Sequence, residues 1–138
     1  MNEVAQQAFA NPSSPHWAVR DARILLEDAR ENLAHSLGAK PQEIFFTSGG
    51  SESNNAVIRQ FLMKSGKQHL ICSAVEHPSV LETCRILADH PNIRFTELAV
   101  DSSGRLDPEN LCTSIHSETV LISVITANNE TGNLQPIE

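Results

Sequence analysis

Three short stretches of this 138-residue chain gather the side chains best suited to gripping a small polar ligand. In "TSGGSES", residues 47–53, two glycines sit among hydroxyls just where an apolar run gives way to a helix-like segment. The glycines let the backbone bend and approach a ligand closely. The helix that follows offers unpaired N–H groups and a positive dipole end, which is a ready anion site. Hydroxyls of Thr47, Ser48 and Ser51 can add hydrogen bonds. A phosphate gains more from them than a neutral group does, because charge-assisted bonds are roughly twice as strong. No lysine precedes the final hydroxyl and no GxGxxG is present, so a single phosphate fits this turn better than a triphosphate. A plain capping arrangement, with Ser51 as N-cap and Asn54 beyond it, accounts for the same residues.

The second stretch, "AVEHPS" at 74–79, carries His77. An imidazole there can stack on a flat ring or carry protons near neutral pH, or it can cap the helix that Pro78 begins. The third, "TANNETG" at 126–132, carries Asn128, Asn129 and Glu130. Its amides serve either as turn formers or as partners for a ligand's polar edge. No histidines stand at HxxxH spacing, and Cys112 with His116 lacks further nearby ligands, so no metal site is expected.

The elements that must position these turns alternate. Ala18, Ala22, Leu25, Leu26, Ala29, Leu33 and Leu37 recur at helical steps, with Ser14 and Pro15 as the expected start and Gly38 as the stop. A strand is expected over Ile44–Thr47, then a helix from about Ser51 to Ser65. "QHLICSAVE", "NIRFTELAV" and "TVLISVIT" read as strands, separated by the helices "PSVLETCRILADH" and "DPENLCTSI". The last strand is nearly all apolar, as when both of its faces are covered. The order αβαβαβαβ predicts an α/β fold of three layers, a mostly parallel sheet flanked by helices, over one domain spanning 1–138. The three chemistry-bearing turns all follow strands, so they belong beyond the carboxyl ends of the sheet, where such folds bind ligands.

Composition narrows the partners. A formal net charge of -7 argues against nucleic acid as the main partner. No run approaches the roughly 20 apolar residues that cross a bilayer, and the N-terminus lacks the order of a secretory signal, so a cytoplasmic protein without membrane contact is expected. Three cysteines without a CxxC pair read as reduced, mostly buried thiols.

Taken together, "NPSSPHW", "EIFFTSGGSESNN", "EHPSVLETC" and "NNETGNLQPI" resemble, in order, segments of the cysteine desulfurase family. These are pyridoxal-phosphate enzymes of the aminotransferase class V type. The resemblance implies the incomplete large domain of that fold, with pyridoxal 5'-phosphate as cofactor. Gly50 and Ser51 would hold the phosphate, His77 would stack on the ring and assist proton transfer, and Asn129 would bond the cofactor's phenolic oxygen or the substrate. Ser51 stands where the family usually has threonine, which keeps the hydroxyl. L-cysteine would be the substrate, converted to L-alanine while its sulfur passes to an enzyme cysteine as a persulfide, with iron–sulfur cluster assembly as one use.

Implied partners are a second copy or a complementary fragment, and a sulfur-acceptor protein. The resemblance also places four groups beyond Glu138: the lysine that bonds the cofactor, the aspartate facing its ring nitrogen, the catalytic cysteine, and the arginine for the substrate carboxylate. It places a first strand before "NPSS". The chain by itself is therefore expected to be inactive. The same motifs leave open a non-catalytic interaction module, or a relative acting on selenocysteine or another amino acid.

Overall fold

The computed structural model describes Ala8, residues 10–14 and residues 19–137, which fall into two compact units, 1–46 and 47–138. In the first, helix α1 (Arg20–Leu37) buries Ala22 and Ala34 and ends at Gly38, whose φ of 64° is the left-handed conformation that glycine adopts without strain. Ser14 closes a turn on the Asn11 carbonyl at 3.0 Å. The helix start expected at Ser14 and Pro15 runs into 15–18, which lie outside the described residues.

A single 3₁₀ turn, Pro41–Glu43, follows α1. The strand expected over Ile44–Thr47 is absent: Ile44 is extended, but the segment pairs with nothing among the described residues. The Ile44 carbonyl instead accepts from Arg30 Nη1, while the guanidinium lies 5.1 Å from the centre of the Phe46 ring. A strand needs a neighbour for its backbone groups, and here a side chain takes that place.

The second unit carries the sheet. Helix α2 (Gly50–Arg59) tightens into a 3₁₀ turn at Gln60–Met63. Strand β1 (Gln68–Ser73), helix α3 (Pro78–Leu87), strand β2 (Ile93–Leu98), helix α4 (Pro108–Ser114) and strand β3 (Thr119–Ser123) then alternate. Proline opens both α3 and α4 at a position where its missing N–H costs nothing, and the Asp107 carboxylate caps α4 by accepting from the Glu109 N–H at 2.9 Å.

The sheet order is β2-β1-β3, all parallel. The connection from β1 to β2 moves one way across the sheet and that from β2 to β3 moves back. Crossovers of one hand must then lie on opposite faces. The core shows this division. Leu70 and Cys72 pack with Ile58, Phe61, Val80, Leu81, Cys84 and Leu87 from the α2 and α3 side. Ile71, pointing the other way, packs with Leu98, Leu106 and Leu111. The expected three layers are present in this unit.

Every residue of β1 is buried, His69 included, which is unusual for an ionisable side chain. Its two ring nitrogens are each partnered by a threonine on a flanking strand, Thr119 at 2.9 Å and Thr96 at 2.8 Å, so the ring pins β3 and β2 to β1. By contrast β3 is not covered on both faces as its composition suggests. It is an edge strand, with Val120 and Ile122 exposed to 40% and 41%. The cysteines divide in the same way: Cys72 and Cys84 are buried and Cys112 is exposed.

Two outcomes test this packing. Burial, together with the positive Arg94 and His116 nearby, holds the His69 pKa below its ordinary value. The unfolded chain therefore takes up this proton more readily. His69's contribution to stability is full well above about pH 6.5, the free-histidine value, and is lost as pH drops through it. Urea titrations from pH 8 to 5 should show this slope, flattened in His69→Gln, whose amide retains one donor and one acceptor. At Gly104, φ is +77° and an added Cβ would come within 2.7 Å of Asn133 Nδ2. Gly104→Ala should therefore lower stability by about 1–2 kcal/mol in the same assay.

Candidate functional site

The three turns singled out in the sequence meet along one edge of the sheet, beyond the carboxyl ends of β1 and β3. Asn54, in α2, donates to Ser79 Oγ at 2.8 Å, which joins the first turn's helix to the second turn. Asn128 Nδ2 donates to the Val75 carbonyl at 3.0 Å and Ser123 Oγ to Glu76 Oε1 at 3.1 Å, which join the third turn and the end of β3 to the second.

The first turn is less simple than a capping box. The N-cap is Gly49, with no side-chain cap, and Ser51 lies inside α2. Thr47 Oγ1 lies 3.2 Å from the Gly49 carbonyl and 2.7 Å from Ser53 Oγ. The N–H and hydroxyl of Ser48 both donate to Glu52 at 2.7 Å. Those bonds hold the Glu52 carboxyl below its usual range. Of the three hydroxyls expected to serve a ligand, Thr47 and Ser48 are thus committed locally, whereas Ser51 Oγ makes no hydrogen bond among the described residues.

Gly49 is in extended backbone (φ 164°), and nothing lies within 4 Å of a Cβ built on Gly49 or Gly50. The glycines matter here because they leave the space in front of the helix N–H groups open, more than because they permit a special φ. Free N–H groups at 50–52, the Ser51 hydroxyl and that open space together suit an anion such as a phosphate.

At the second turn His77 is exposed and occupies the N-cap of α3, where Nδ1 accepts from the Ser79 N–H at 3.1 Å. Its Nε2 has no hydrogen-bond partner among the described residues, so the capping role and a ligand role are compatible on one ring. Next to it, Glu76 is buried, which raises its carboxyl pKa, while bonds from Ser123 and from the His77 and Ile125 N–H groups oppose the shift.

The third turn separates its two amides. Asn128 is the turn former: its Oδ1 accepts from the Glu130 N–H, the Thr131 N–H and the Thr131 hydroxyl at 2.9–3.1 Å. Asn129 is exposed and makes no side-chain hydrogen bond among the described residues. Gly50 and Ser51 in the first turn of α2, His77 at the N-cap of α3 and Asn129 in the third turn each keep a polar group unspent among the described residues. Sequence reasoning passed over the ties Asn54, Ser79, Glu76 and Ser123. The first three stand inside the quoted motifs, so their positions were in view without their pairing.

Lys64 and Lys67 lie before β1, at its far end from His77, and Lys64 Nζ rests 5.0 Å over the Phe61 ring. Among the described residues no cluster of three His, Cys, Asp or Glu could hold a metal ion, and no helix is long and apolar enough to cross a membrane.

A parallel sheet with helices on both faces and polar turns at the carboxyl ends of its strands defines an α/β protein of the open parallel-sheet class. The family model for aminotransferase class-V matches residues 1–138. The chain belongs to that family.

It is 43% identical to the cysteine desulfurase IscS of Dictyoglomus turgidum, a match that takes in 100% of this chain and 35% of that protein. It is 34% identical to the human selenocysteine lyase, over 99% of this chain and 35% of that one. Among solved structures, that described as SspA in complex with cysteine superposes with a TM-score of 0.83 at 40% identity, covering 99% of this chain and 40% of that one. The chain thus spans about a third of the length of the relatives it matches.

Removing the turn former tests the junction. Asn128→Ala strips a partner from the Val75 carbonyl and from two N–H groups of its own turn. Stability should fall by about 1–3 kcal/mol, and amide exchange should accelerate at Glu130 and Thr131 before it does in β1.

Proposed function

We propose that this chain forms the phosphate- and ring-binding part of a pyridoxal 5'-phosphate site in a cysteine desulfurase-type enzyme. Its reaction would convert L-cysteine to L-alanine and pass the sulfur to an enzyme thiolate. The observation that carries this reading is the meeting of three turns at one edge, tied by Asn54–Ser79 and Asn128–Val75.

The donor set fits the group. The N–H groups of Gly50 and Ser51 and the Ser51 hydroxyl are unspent among the described residues and would bind the phosphate. The His77 ring, exposed on the neighbouring turn, stacks on the pyridine and moves a proton through Nε2. The Asn129 amide donates to the phenolic oxygen or orients substrate. When bound, the cofactor supplies the electron sink for cleavage at the substrate carbon.

No lysine among the described residues of the sheet-bearing unit adjoins these turns, so this chain by itself holds the cofactor reversibly and does not turn over. In an active assembly a second copy or a complementary polypeptide completes the site, and an acceptor protein takes the sulfur. A cytosolic setting agrees with the free thiols and acidic charge. The similarity to a selenocysteine lyase favours, as a second reading, selenocysteine as substrate, because the turns present here address the cofactor and not the chalcogen.

Equilibrium dialysis of the purified chain tests the reading. Pyridoxal phosphate should bind reversibly, inorganic phosphate should compete, and pyridoxal without the phosphate should bind roughly ten- to a hundredfold more weakly, as expected for loss of charge-assisted bonds of about 1.5–3 kcal/mol. Ser51→Asp should abolish binding. Equal affinity for pyridoxal, or stoichiometric borohydride trapping at one lysine of the chain, would overturn it.

A further inference from the structure

The side chains around His77 settle more than its position. Ser79 lies two residues on, and it meets His77 Nδ1 twice: its backbone N–H at 3.1 Å and its Oγ at 2.8 Å. A backbone N–H can only donate, so Nδ1 must offer a lone pair and carries no proton. Ser79 Oγ also accepts from Asn54 Nδ2 at 2.8 Å. With that lone pair engaged, the one hydroxyl proton is free to point at Nδ1.

A directional chain results: the Asn54 amide donates to Ser79 Oγ, and the Ser79 hydroxyl and N–H both donate to His77 Nδ1. The proton of the neutral ring is therefore on Nε2, the nitrogen that has no partner among the described residues. Asn54 is itself held within the folded unit, half-buried on α2, and the Ser79 carbonyl accepts from Thr83 Oγ1 at 2.8 Å.

We propose that Asn54 and Ser79 are positioning residues that, together with the Ser79 backbone N–H, hold Nδ1 of His77 as an acceptor and so present Nε2–H to the ligand as a hydrogen-bond and proton donor. This rests on the reading of His77 as a ring-facing residue, and deepens it. A partner that sets which imidazole nitrogen is protonated decides what the other nitrogen can do. Here the relay makes His77 a donor toward the ligand on arrival, not an acceptor. It also links the phosphate end of the site to the ring end, since Asn54 sits one turn along the same helix that begins at Gly50.

The test reads the ring nitrogens directly and needs no cofactor. Two-bond ¹⁵N–¹H correlation spectra of ¹⁵N-histidine-labelled protein are recorded at about pH 8.5, above the ordinary histidine range of about 6.5. The His77 signals are assigned by their loss in His77→Gln. Expected in the wild type are a protonated Nε2 and a non-protonated Nδ1 whose resonance shows the shielding of an acceptor of two hydrogen bonds.

Ser79→Ala should move the Nδ1 resonance toward that of an unbonded imidazole nitrogen, because only the backbone donor remains, and Ser79→Thr should restore it. Asn54→Asp should draw the hydroxyl proton to the carboxylate and produce the same movement. A protonated Nδ1 in the wild type overturns the proposal. So does an Nδ1 resonance that ignores both Ser79→Ala and Asn54→Asp, since simple helix capping by the backbone N–H would survive both changes. Because dialysis with pyridoxal phosphate is a separate measurement, loss of the tautomer assignment and loss of the cofactor reading give different results.

Discussion

The parallel pairing of β1 with a strand on each side is the constraint from which the rest of the sheet-bearing unit follows. β1 spends its backbone groups on both neighbours and all its side chains on burial, down to the serine at its end. Because all three strands run the same way, the segments that leave β1 and β3 emerge at one edge, and α3 starts there with its N–H groups facing out. Reversing one strand would send its turn to the opposite edge, and no rearrangement of side chains could bring Val75 and Asn128 back together. His69 reinforces the arrangement from the other end by holding a threonine of each outer strand.

The residues that bracket elements made much of this legible in the sequence. Gly38, Pro78 and the Asp107–Pro108 pair each act through local backbone chemistry, so their meaning survives without knowledge of the fold. Pairing does not survive in that way. Ile44 to Thr47 has the composition of a strand, but a strand is a relation to a neighbour, and Arg30 occupies the Ile44 carbonyl instead. The contact between Asn54 and Ser79 spans 25 positions and depends on how α2 and α3 pack, which no local signal carries. Asn128 and Asn129 are adjacent and chemically identical; only the chain's curvature tells which amide faces the turn and which stays free.

Electrostatics of the turn cluster are local. The protein is acidic overall, and Glu52 places a carboxylate on the first turn of α2 itself. Arg85, a cation of α3, is committed to Glu97 and Glu82. Among the described residues no Lys or Arg side chain hydrogen-bonds into the three turns, so long-range attraction of an anion contributes little, and at physiological salt it is screened within about 8 Å. What remains is short-range: N–H groups at a helix start, one hydroxyl and an open approach. Such a site selects by geometry, and it explains why Glu52 folds back on Ser48. In that position its carboxylate stays ionised with two donors from Ser48 and does not occupy the N–H groups at the start of the helix.

The turn cluster and the apolar surface of the same unit stand in contrast. β3 reads as a strand buried on both faces, yet Val120 and Ile122 are partly open, and Leu134 and Ile137 in the segment after the third turn are exposed as well. Its apolar content exceeds the cover that the described residues provide. The polar ties of the site do not depend on that cover. Asn54–Ser79, Val75–Asn128 and Glu76–Ser123 each close between elements already packed on β1, at 2.8–3.1 Å. Burying the outer face of β3 would add hydrophobic stabilisation at about 25 cal/mol per Å² without moving these contacts. Hence the polar turns at this edge are organised by α2, α3 and the end of β3, whereas the strength with which β3 is held depends on whatever packs on its free face. The geometry of the turns and the stability of the sheet edge are set by different residues of the same unit.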